Sequence, residues 1–515
     1  MTTAGVVTAV AGNGCYIQDA AGDGDPNTSD GIFVFTGGAP QVAKGDQVSV
    51  AGTVAEFQPG DADDYNLTIT EIVNPSVTVD SAGALPAPVV IGAAGRMPPA
   101  ETIDNDGFAV FDPEQDGIDF YESLEGMLVQ VNSAVAVGPT NRFGEIFVLP
   151  DGARFATLAG IMVNNLRCPD VLALQEIQDN DGPADSGETS ADQTYAALIA
   201  AIGTQCGPAP YEFREIAPLD KQDGGQPGAN IRVGFLFNPG RVLSVDYGTP
   251  SPVTPVAVEL GKAQLLLNPS PGRIDPASPV FEDSRKPLAV HFVFRPTGSS
   301  LYVVNNHFNS KGGDSPLFGI AQPPLQPSLL QRMGQALTVN NFVDRLLFLH
   351  PKSKVVVLGD MNDFQFAAPL RQVRPQGALS DQELVNLVDT LPAGEQYTYI
   401  FEGNAQALDH ILVSEALVNR AAVDVVHVNA AFPGAASDHD PVIARLTFKL
   451  GDLNGDGVLT PDDGTEFSKA YGQRFPHPDY NEDADFKKDG IVDGLDRLIF
   501  IYLYQQANPA AAITF

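Results

Sequence analysis

Several strand-length apolar runs between residues 171 and 448 break into ionisable residues at one end. They are Val171-Leu-Ala-Leu-Gln175-Glu176, Val303-Val-Asn-Asn-His307-Phe-Asn309 and Val355-Val-Val-Leu-Gly359-Asp360-Met-Asn362-Asp363. Ser437-Asp438-His439-Asp440-Pro441 leads into Val442-Ile-Ala-Arg-Leu, and Leu408-Asp409-His410-Ile411-Leu-Val-Ser414 is a fifth segment of the kind. A continuous apolar run reads as a strand buried on both faces, so these runs need a sheet covered from two sides. Further strands are expected at Ile231–Phe237, Leu288–Phe294, Leu301–Asn305, Lys354–Leu358 and Val442–Phe448. Helical periodicity lies between them, most clearly over Leu329–Leu349, and also over Ala153–Leu166 and near Ala191–Ile202. Strands alternating with helices predict a large α/β sandwich over residues 151–449.

Two stretches differ in texture. Residues 1–150 carry short alternating runs split by turn residues: Gly5-Val-Val-Thr-Ala-Val, Gly14-Cys-Tyr-Ile-Gln-Asp, Gly31-Ile-Phe-Val-Phe and Asp46-Gln-Val-Ser-Val-Ala-Gly-Thr-Val. Such strands with glycine corners predict a small β-barrel. From residue 450 to 515 two acidic loops are each followed by a helical stretch. Three parts suit 515 residues, at roughly 150 residues per domain. Hydrophobic residues at 43% and charged residues at 18% mark a globular chain, and no apolar run approaches the ~18 residues of a membrane span.

Asp and Glu number 64 against 29 Lys and Arg, a net charge of −35. A surface that bound polyanions throughout would be basic, so any nucleic-acid contact is expected to be local or metal-mediated. The acidity reads either as solubility or as divalent-cation binding. Cys15, Cys168 and Cys206 make no disulfide framework; Cys168 and Cys206 pair if the protein is exported and are otherwise buried thiols. The N-terminus shows no basic and apolar leader pattern, which fits a cytoplasmic protein or a piece of an exported one.

Taken in order, Leu-Gln-Glu, Asn-His-Phe, Gly-Asp-Met-Asn-Asp, Leu-Asp-His-Ile and Ser-Asp-His-Asp-Pro resemble the exonuclease–endonuclease–phosphatase superfamily, with its DNase I-like fold, over about residues 153–449. Within it the chain is most similar to extracellular bacterial endonucleases. The Gly-x-Val…Tyr-Ile-Gln-Asp…Gly-Ile-Phe-Val-Phe…Gly-Asp-x-Val-x-Val-x-Gly series resembles the OB-fold modules that precede such nuclease domains. Hydrolysing a phosphodiester calls for a hard cation with oxygen ligands, Mg²⁺ or Mn²⁺. By resemblance Glu176 is a metal ligand and Asp438 completes the metal side. Asp360 and Asn362, at i and i+2 on one face of an extended chain, orient the water and the phosphate. His439 acts at that phosphate with Asp409 holding its ring, and His307 contacts it from the other side. Arg232 and Lys311 are candidates for phosphate contact or ordinary surface cations.

One part of the family pattern is missing. Members open the catalytic domain with an inner strand of the type Thr-Phe-Asn-x-x-Asn immediately before the first helix. Here that helix follows Gly144-Glu-Ile-Phe-Val-Leu-Pro-Asp151-Gly152, which reads as barrel-module sequence. The expectation is that Phe143–Pro150 substitutes as a strand beside Val171–Gln175 or that the sheet has an open gap, with activity impaired. Asn141 precedes the candidate strand, and Asn164 and Asn165 fall on the helix, so none is expected to reach the metal.

In the C-terminal part, Asp452, Asn454, Asp456, Val458, Thr460 and Asp463 occupy positions 1, 3, 5, 7, 9 and 12 of a calcium-loop pattern. A second loop, 33 residues on, offers Asp485, Asp489, Ile491, Asp493 and Asp496, with Lys487 at the third position. The pair resembles a dockerin type I domain, a small all-α module that implies Ca²⁺ and a protein partner. The whole is expected to be multidomain: an OB-like barrel, an α/β four-layer DNase I-like sandwich and a dockerin-like module. It reads as an extracellular or cell-surface phosphodiester hydrolase with nucleic acid, DNA or RNA, as substrate. A phosphomonoesterase or lipid phosphodiesterase of the same superfamily, or an inactive binding or scaffold protein, is the alternative.

Overall fold

The computed structural model describes residues 1–59, 67–92, 95–99, 109–132, 135–136, 148–149, 153–182, 184–225, 230–315, 324–374, 384–401, 404–431 and 435–508. Two compact units are built on Met1–Ala136 and on Arg154–Phe515.

In the first unit the strands read from the sequence form as Thr2–Ala11, Gly14–Gln18, Gly31–Phe35 and Asp46–Phe57, joined by Ile69–Ala82. They close a five-stranded barrel. Thr2–Ala11 pairs antiparallel with both Gly14–Gln18 and Asp46–Phe57, and Gly31–Phe35 runs parallel to Ile69–Ala82. Side chains alternate across each strand, which sends Val7, Cys15, Ile17, Val34, Val48, Val50 and Ile72 into one core. Closure removes the free edges that such strands would otherwise expose. Cys15 is a free thiol in that core.

The second unit is a sandwich of four layers. A seven-stranded sheet runs Val242–Ser244, Leu288–Phe294, Ser299–His307, Val355–Asp360, Asp409–Val413 and Val385–Asn386, with Gly272–Arg273 added on the Leu288–Phe294 strand. Facing it is a three-stranded sheet of Val171–Ile177, Arg232–Phe237 and Glu212–Glu215. Ala289, Tyr302, Val304, Val355, Val357 and Leu412 point outward under the helix Leu329–Leu349. Their neighbours Val290, Val303, Val356 and Ile411 point inward and meet Val233, Phe235 and Phe237 of the second sheet. Leu172 and Leu236 turn to the outer helices, where Ala159, Met162, Tyr195 and Leu198 cover them. The helix read over 153–166 forms as Ala153–Gly160 with a π turn at Ile161–Asn165, and Asp192–Ile202 makes the other. Cys168 and Cys206 are disulfide-bonded, which settles the alternative left open by the sequence.

The second sheet is in two pieces. Val171–Ile177 pairs with Arg232–Phe237 on one side and with no strand on the other among the described residues. The hairpin Ala421–Val425/Val442–Leu446 stands apart. Both pieces nevertheless share the same two cores: Val171, Ala173, Val442 and Ala444 pack on the inner one, Leu174 and Ile443 on the outer one. The expected substitute strand, Phe143–Pro150, falls mostly outside the described residues. Val148–Leu149 pairs with Val135–Ala136, while 143–147 and Pro150 lie outside the described residues, as does Asn141. Asn164 and Asn165 are in the helical segment, as expected. The reading of Val171–Gln175 as a buried strand is corrected as well, because in the seven-residue strand Val171–Ile177 only Leu172 is fully buried.

Beyond the hairpin, helices Pro461–Ala470 and Gly494–Ala507 close over Phe467, Tyr480, Val492 and Phe500, with the Phe467 and Phe500 rings stacked at 4.9 Å. This segment is seated on the sandwich by buried ion pairs. Lys354 reaches Asp483 at 3.1 Å and Glu482 at 3.8 Å, and Arg420 reaches Asp483 at 3.4 Å. Ser300 N–H donates to Glu482 at 2.7 Å.

His291, in the Leu288–Phe294 strand, is fully buried, stacked on Tyr302 at 4.7 Å, with a hydrogen-bond partner on neither ring nitrogen. Burial lowers its imidazolium to about 4, against a smaller opposing pull from Glu482. An unfolded histidine takes up its proton near pH ~6.5. The neutral folded group therefore contributes stability in full above that pH and loses it as pH falls through about 4. Chemical denaturation at neutral pH and at about pH 4 should show an acid loss of which roughly 3 kcal/mol is absent in His291→Phe. An unchanged pH dependence in the variant would refute the assignment.

Candidate active site

Strand register builds the site. Ser299–His307 runs parallel to Val355–Asp360 with His307 opposite Asp360, and Val355–Asp360 runs antiparallel to Asp409–Val413 with Asp360 opposite Asp409. All three lie on the inward parity of their strands, so they emerge side by side at one end of the sandwich. Gly359 permits this: its φ is +121°, and a Cβ there would collide with the Asn306 carbonyl. Glu176 comes from the other sheet, its Oε1 3.9 Å from His307 Nε2, while Asp360 Oδ2 is 3.4 Å from the same nitrogen.

Asn362 corrects the extended-chain reading. The chain turns there with φ +50°, and the Asn362 N–H donates to Asp360 Oδ1 at 2.8 Å while its amide donates to Asp360 Oδ2 and Phe308 O, both at 3.1 Å. The two residues thus form a closed pair in place of two side chains on one face. The loop is anchored through Asp363, whose Oδ2 accepts from the buried Arg332 at 3.0 Å. His410 Nε2–H donates to the Asp363 carbonyl at 2.9 Å, because its Nδ1 accepts from the Asn386 amide at 3.2 Å.

His439 Nδ1–H donates to Asp409 Oδ2 at 2.6 Å. The same oxygen accepts from Thr398 Oγ at 2.7 Å. Nε2 is thereby left for the space in front of Asp360. Tyr399 leans on the ring at 4.8 Å. Asp440, next in sequence, does different work: it accepts from the N–H groups of Val428, Asn429 and Ala430 and pins their loop. Asp438 is exposed beside His439.

The two imidazoles are held in opposite states. Burial, Arg285 and His439 together keep His307 far below the usual histidine range, so it is neutral. Burial alone would lower His439 too, but Asp409, with Asp360 and Asp438, raises it to about 10, so it is cationic. Burial and then Asp409 raise the Asp360 carboxyl to about 7.

Lys311 is near the site as expected: its ammonium donates to Asn362 O at 2.7 Å and lies 4.5 Å over the Phe364 ring, and burial brings it down to about 8. Arg232 is neither a surface cation nor turned to solvent. It is 1% exposed, donating to Asn230 O at 2.9 Å and Glu215 Oε2 at 3.4 Å. The cation that sequence reasoning missed is Arg285. It is 8% exposed, donates to Phe308 O at 2.9 Å, keeps an Nε with no partner, and feels Asp360 and Glu176. Ser284-Arg285-Lys286 shows no periodicity or spacing that would have marked it.

The acidic oxygens of Glu176, Asp360 and Asp438 do not gather at one point. Among the described residues, the three acidic side chains with oxygens within 4.8 Å of one another are Asp112, Asp116 and Asp119 of the first unit. Glu176 has φ +56° and a side chain 69% exposed, on a strand that pairs on one side only among the described residues. The donor set still fits a hard cation. Mg²⁺ keeps several waters and takes one or two carboxylates plus substrate oxygens instead of a protein cage, and the Asp360 carboxyl, raised by burial and then by Asp409, is one whose ionised form a bound cation would favour.

In chelated protein, NMR titration should find His439 protonated to near pH 10. Asp409→Asn removes the principal raising charge, so the imidazole should titrate well below that. The same titration in both proteins would contradict the Asp409 assignment.

Residues 90–195 match a domain of unknown function (DUF8508), and residues 152–439 match the Endonuclease/Exonuclease/phosphatase family. No curated protein matches the chain. Among solved structures it is similar to an endonuclease/exonuclease/phosphatase from Bacteroides vulgatus, at 13% identity over 57% of this chain and 90% of that one, with a TM-score of 0.34. The human Nocturnin catalytic domain gives 14% identity, 57% and 86% coverage and a TM-score of 0.35. A Bacteroides thetaiotaomicron mannosyl-6-phosphatase gives 16%, 58%, 91% and 0.33. Likenesses this loose bear on neither fold nor substrate. The family match alone spans more than half of the sequence, and by it the chain belongs to the Endonuclease/Exonuclease/phosphatase family.

Proposed function

We propose that this protein is a divalent-metal-dependent phosphodiester hydrolase acting on nucleic acid, DNA or RNA, outside the cell. The observation that carries the reading is the row His307–Asp360–Asp409 with His439 clamped on Asp409 at 2.6 Å. That row puts a cationic imidazole, a neutral imidazole and a carboxyl near neutrality within one site, the combination that acid–base work on a phosphate requires. Glu176 and Asp438 would hold Mg²⁺ or Mn²⁺, which when bound neutralises phosphate oxygens. His439, fixed in orientation by Asp409, offers its Nε2–H to the scissile phosphate. Asp360 and Asn362 orient the attacking water, and neutral His307 hydrogen-bonds the phosphate opposite. Arg285 and Lys311 supply positive charge locally in a chain of net charge −35.

The Cys168–Cys206 bond supports an oxidising compartment. The closed five-stranded barrel supports an OB-type module. The two acidic loops with their helices support a dockerin-like, calcium-binding segment that docks a protein partner. A second reading has its own support: Glu176, exposed on an unpaired edge, favours an impaired enzyme or an inactive binding protein anchored through its tail.

Plasmid nicking and RNA cleavage with Mg²⁺ and with EDTA, beside a phosphomonoester and a phospholipid, separate these readings. Cleavage of nucleic acid that stops in EDTA is expected. His439→Ala and Asp360→Ala should each lower it by at least about 100-fold, the usual scale for a positioned acid or base, with the fold intact by circular dichroism. Turnover of the monoester or lipid alone would reassign the substrate, and no turnover of any would favour the binding protein.

A further inference from the structure

The two acidic loops repeat residue for residue: Asp452 with Asp485, Asn454 with Lys487, Asp456 with Asp489, Thr460 with Asp493 and Asp463 with Asp496. Their backbone frames are alike, each turning N–H groups of the loop onto its first and last aspartates. In the first, Gly455 and Gly457 N–H donate to Asp452, and Leu453 and Thr460 N–H donate to Asp463. In the second, Asp489 and Gly490 N–H donate to Asp485, and Lys487 and Asp493 N–H donate to Asp496.

The third position distinguishes them. The Asn454 amide reaches Asp456 Oδ2 at 3.0 Å. Lys487 Nζ instead lies 2.8 Å from Asp493 Oδ2, 3.1 Å from Asp489 Oδ2 and 3.5 Å from Asp496 Oδ2. Those three carboxylates stand at ligand positions 5, 9 and 12 of the loop pattern, and Asp496 is fully buried. A buried carboxylate needs a compensating charge, and an ammonium brings one together with three donors. The sequence difference is matched. Where the second loop gains the lysine it also gains a carboxylate, Asp493 in place of Thr460, and that carboxylate makes the shortest contact. Position 1 is occupied as well, because Asp485 Oδ2 accepts from both Gly490 N–H at 2.7 Å and Tyr480 Oη at 2.9 Å. In the first loop the cation at ion-pair distance is Arg420, 3.6 Å from Asp452 alone among the loop carboxylates.

We infer that the ammonium of Lys487 is the resident cation of the second loop, which therefore takes no divalent ion, so that the C-terminal segment carries a single exchangeable cation position, in its first loop. The inference rests on the calcium-loop reading proposed above. A divalent ion entering the second loop would have to expel a charge tethered to the loop itself, and Ca²⁺ wants six to eight oxygens where this loop presents a nitrogen at its centre.

Calorimetric Ca²⁺ titration of the full chain, stripped with EDTA and carrying Glu176→Gln and Asp438→Asn so that the proposed catalytic cation position is not counted, tests it. One ion per chain is expected in that background and two once Lys487→Asn is added, which restores the first loop's residue. Two ions before that substitution, or none gained by it, would overturn the inference. None before it with one after it would uphold Lys487 and overturn the calcium reading of the first loop. Amide hydrogen exchange in the wild type gives a second measurement that needs no variant. In EDTA the second-loop amides should already be protected, and added Ca²⁺ should slow exchange in the first loop alone. Equal slowing in both loops would refute the proposal.

Discussion

Asn305 lies at the centre of the sandwich, fully buried on the strand that ends in His307, and its side chain ties the two sheets together. Its amide donates to the carbonyls of Leu174 at 3.0 Å and Gly234 at 2.9 Å, and its Oδ1 accepts from Gln175 at 2.6 Å. Apolar packing between sheets is indifferent to small slides, whereas a buried amide tolerates none, since each unmade bond costs about 1–3 kcal/mol. The clamp therefore fixes the one relation that packing leaves free, how far Val171–Ile177 has run when it passes Ser299–His307. Glu176 comes level with His307 as a result. Every contact between the carboxylate of one sheet and the imidazole of the other depends on that alignment.

Around the clamp, burial and charge act in opposite directions on chemically identical groups. His307 and His439 are both held in the site, but His307 has the Arg285 guanidinium for company and His439 has Asp409. Burial, reinforced by Arg285, keeps His307 neutral, whereas at His439 the Asp409 carboxylate outweighs burial and holds the charge. Arg285, with its unpartnered Nε, and Lys311, held over Phe364, are concentrated at the site in a chain otherwise dominated by acids. Under the function proposed above, these two cations are the positive charge that a polyanionic substrate would meet in a chain of net charge −35.

Among the described residues the second sheet is in two pieces, and the layers hold across that break. Val171–Ile177 and Val442–Leu446 still deliver alternate residues to the same two cores, because the layers are held by the seven-stranded sheet beneath and by the helices above. The consequence falls on the edge: Glu176 is left exposed while Asp360, supported by strands on both sides, is buried. Stability of the sandwich and assembly of its site are separable for that reason.

Much of this was legible in the residues alone. Helix Leu329–Leu349, the strands at Leu288–Phe294 and Lys354–Leu358, the barrel and the identity of the ionisable strand ends follow from periodicity, since hydrophobic spacing reports which face of an element is covered. The pairing of Asp409 with His439 came from a family resemblance, and the structure places them in contact. What no local pattern contains is register and direction. The turn at Asn362, the burial of Arg232 against Glu215, the presence of Arg285 and the inward reach of Lys487 are set by groups remote in sequence or by the closure of a loop upon itself. A residue's type is written in the chain, but its electrostatic surroundings, and hence its protonation and its partners, exist only once distant strands have been brought side by side.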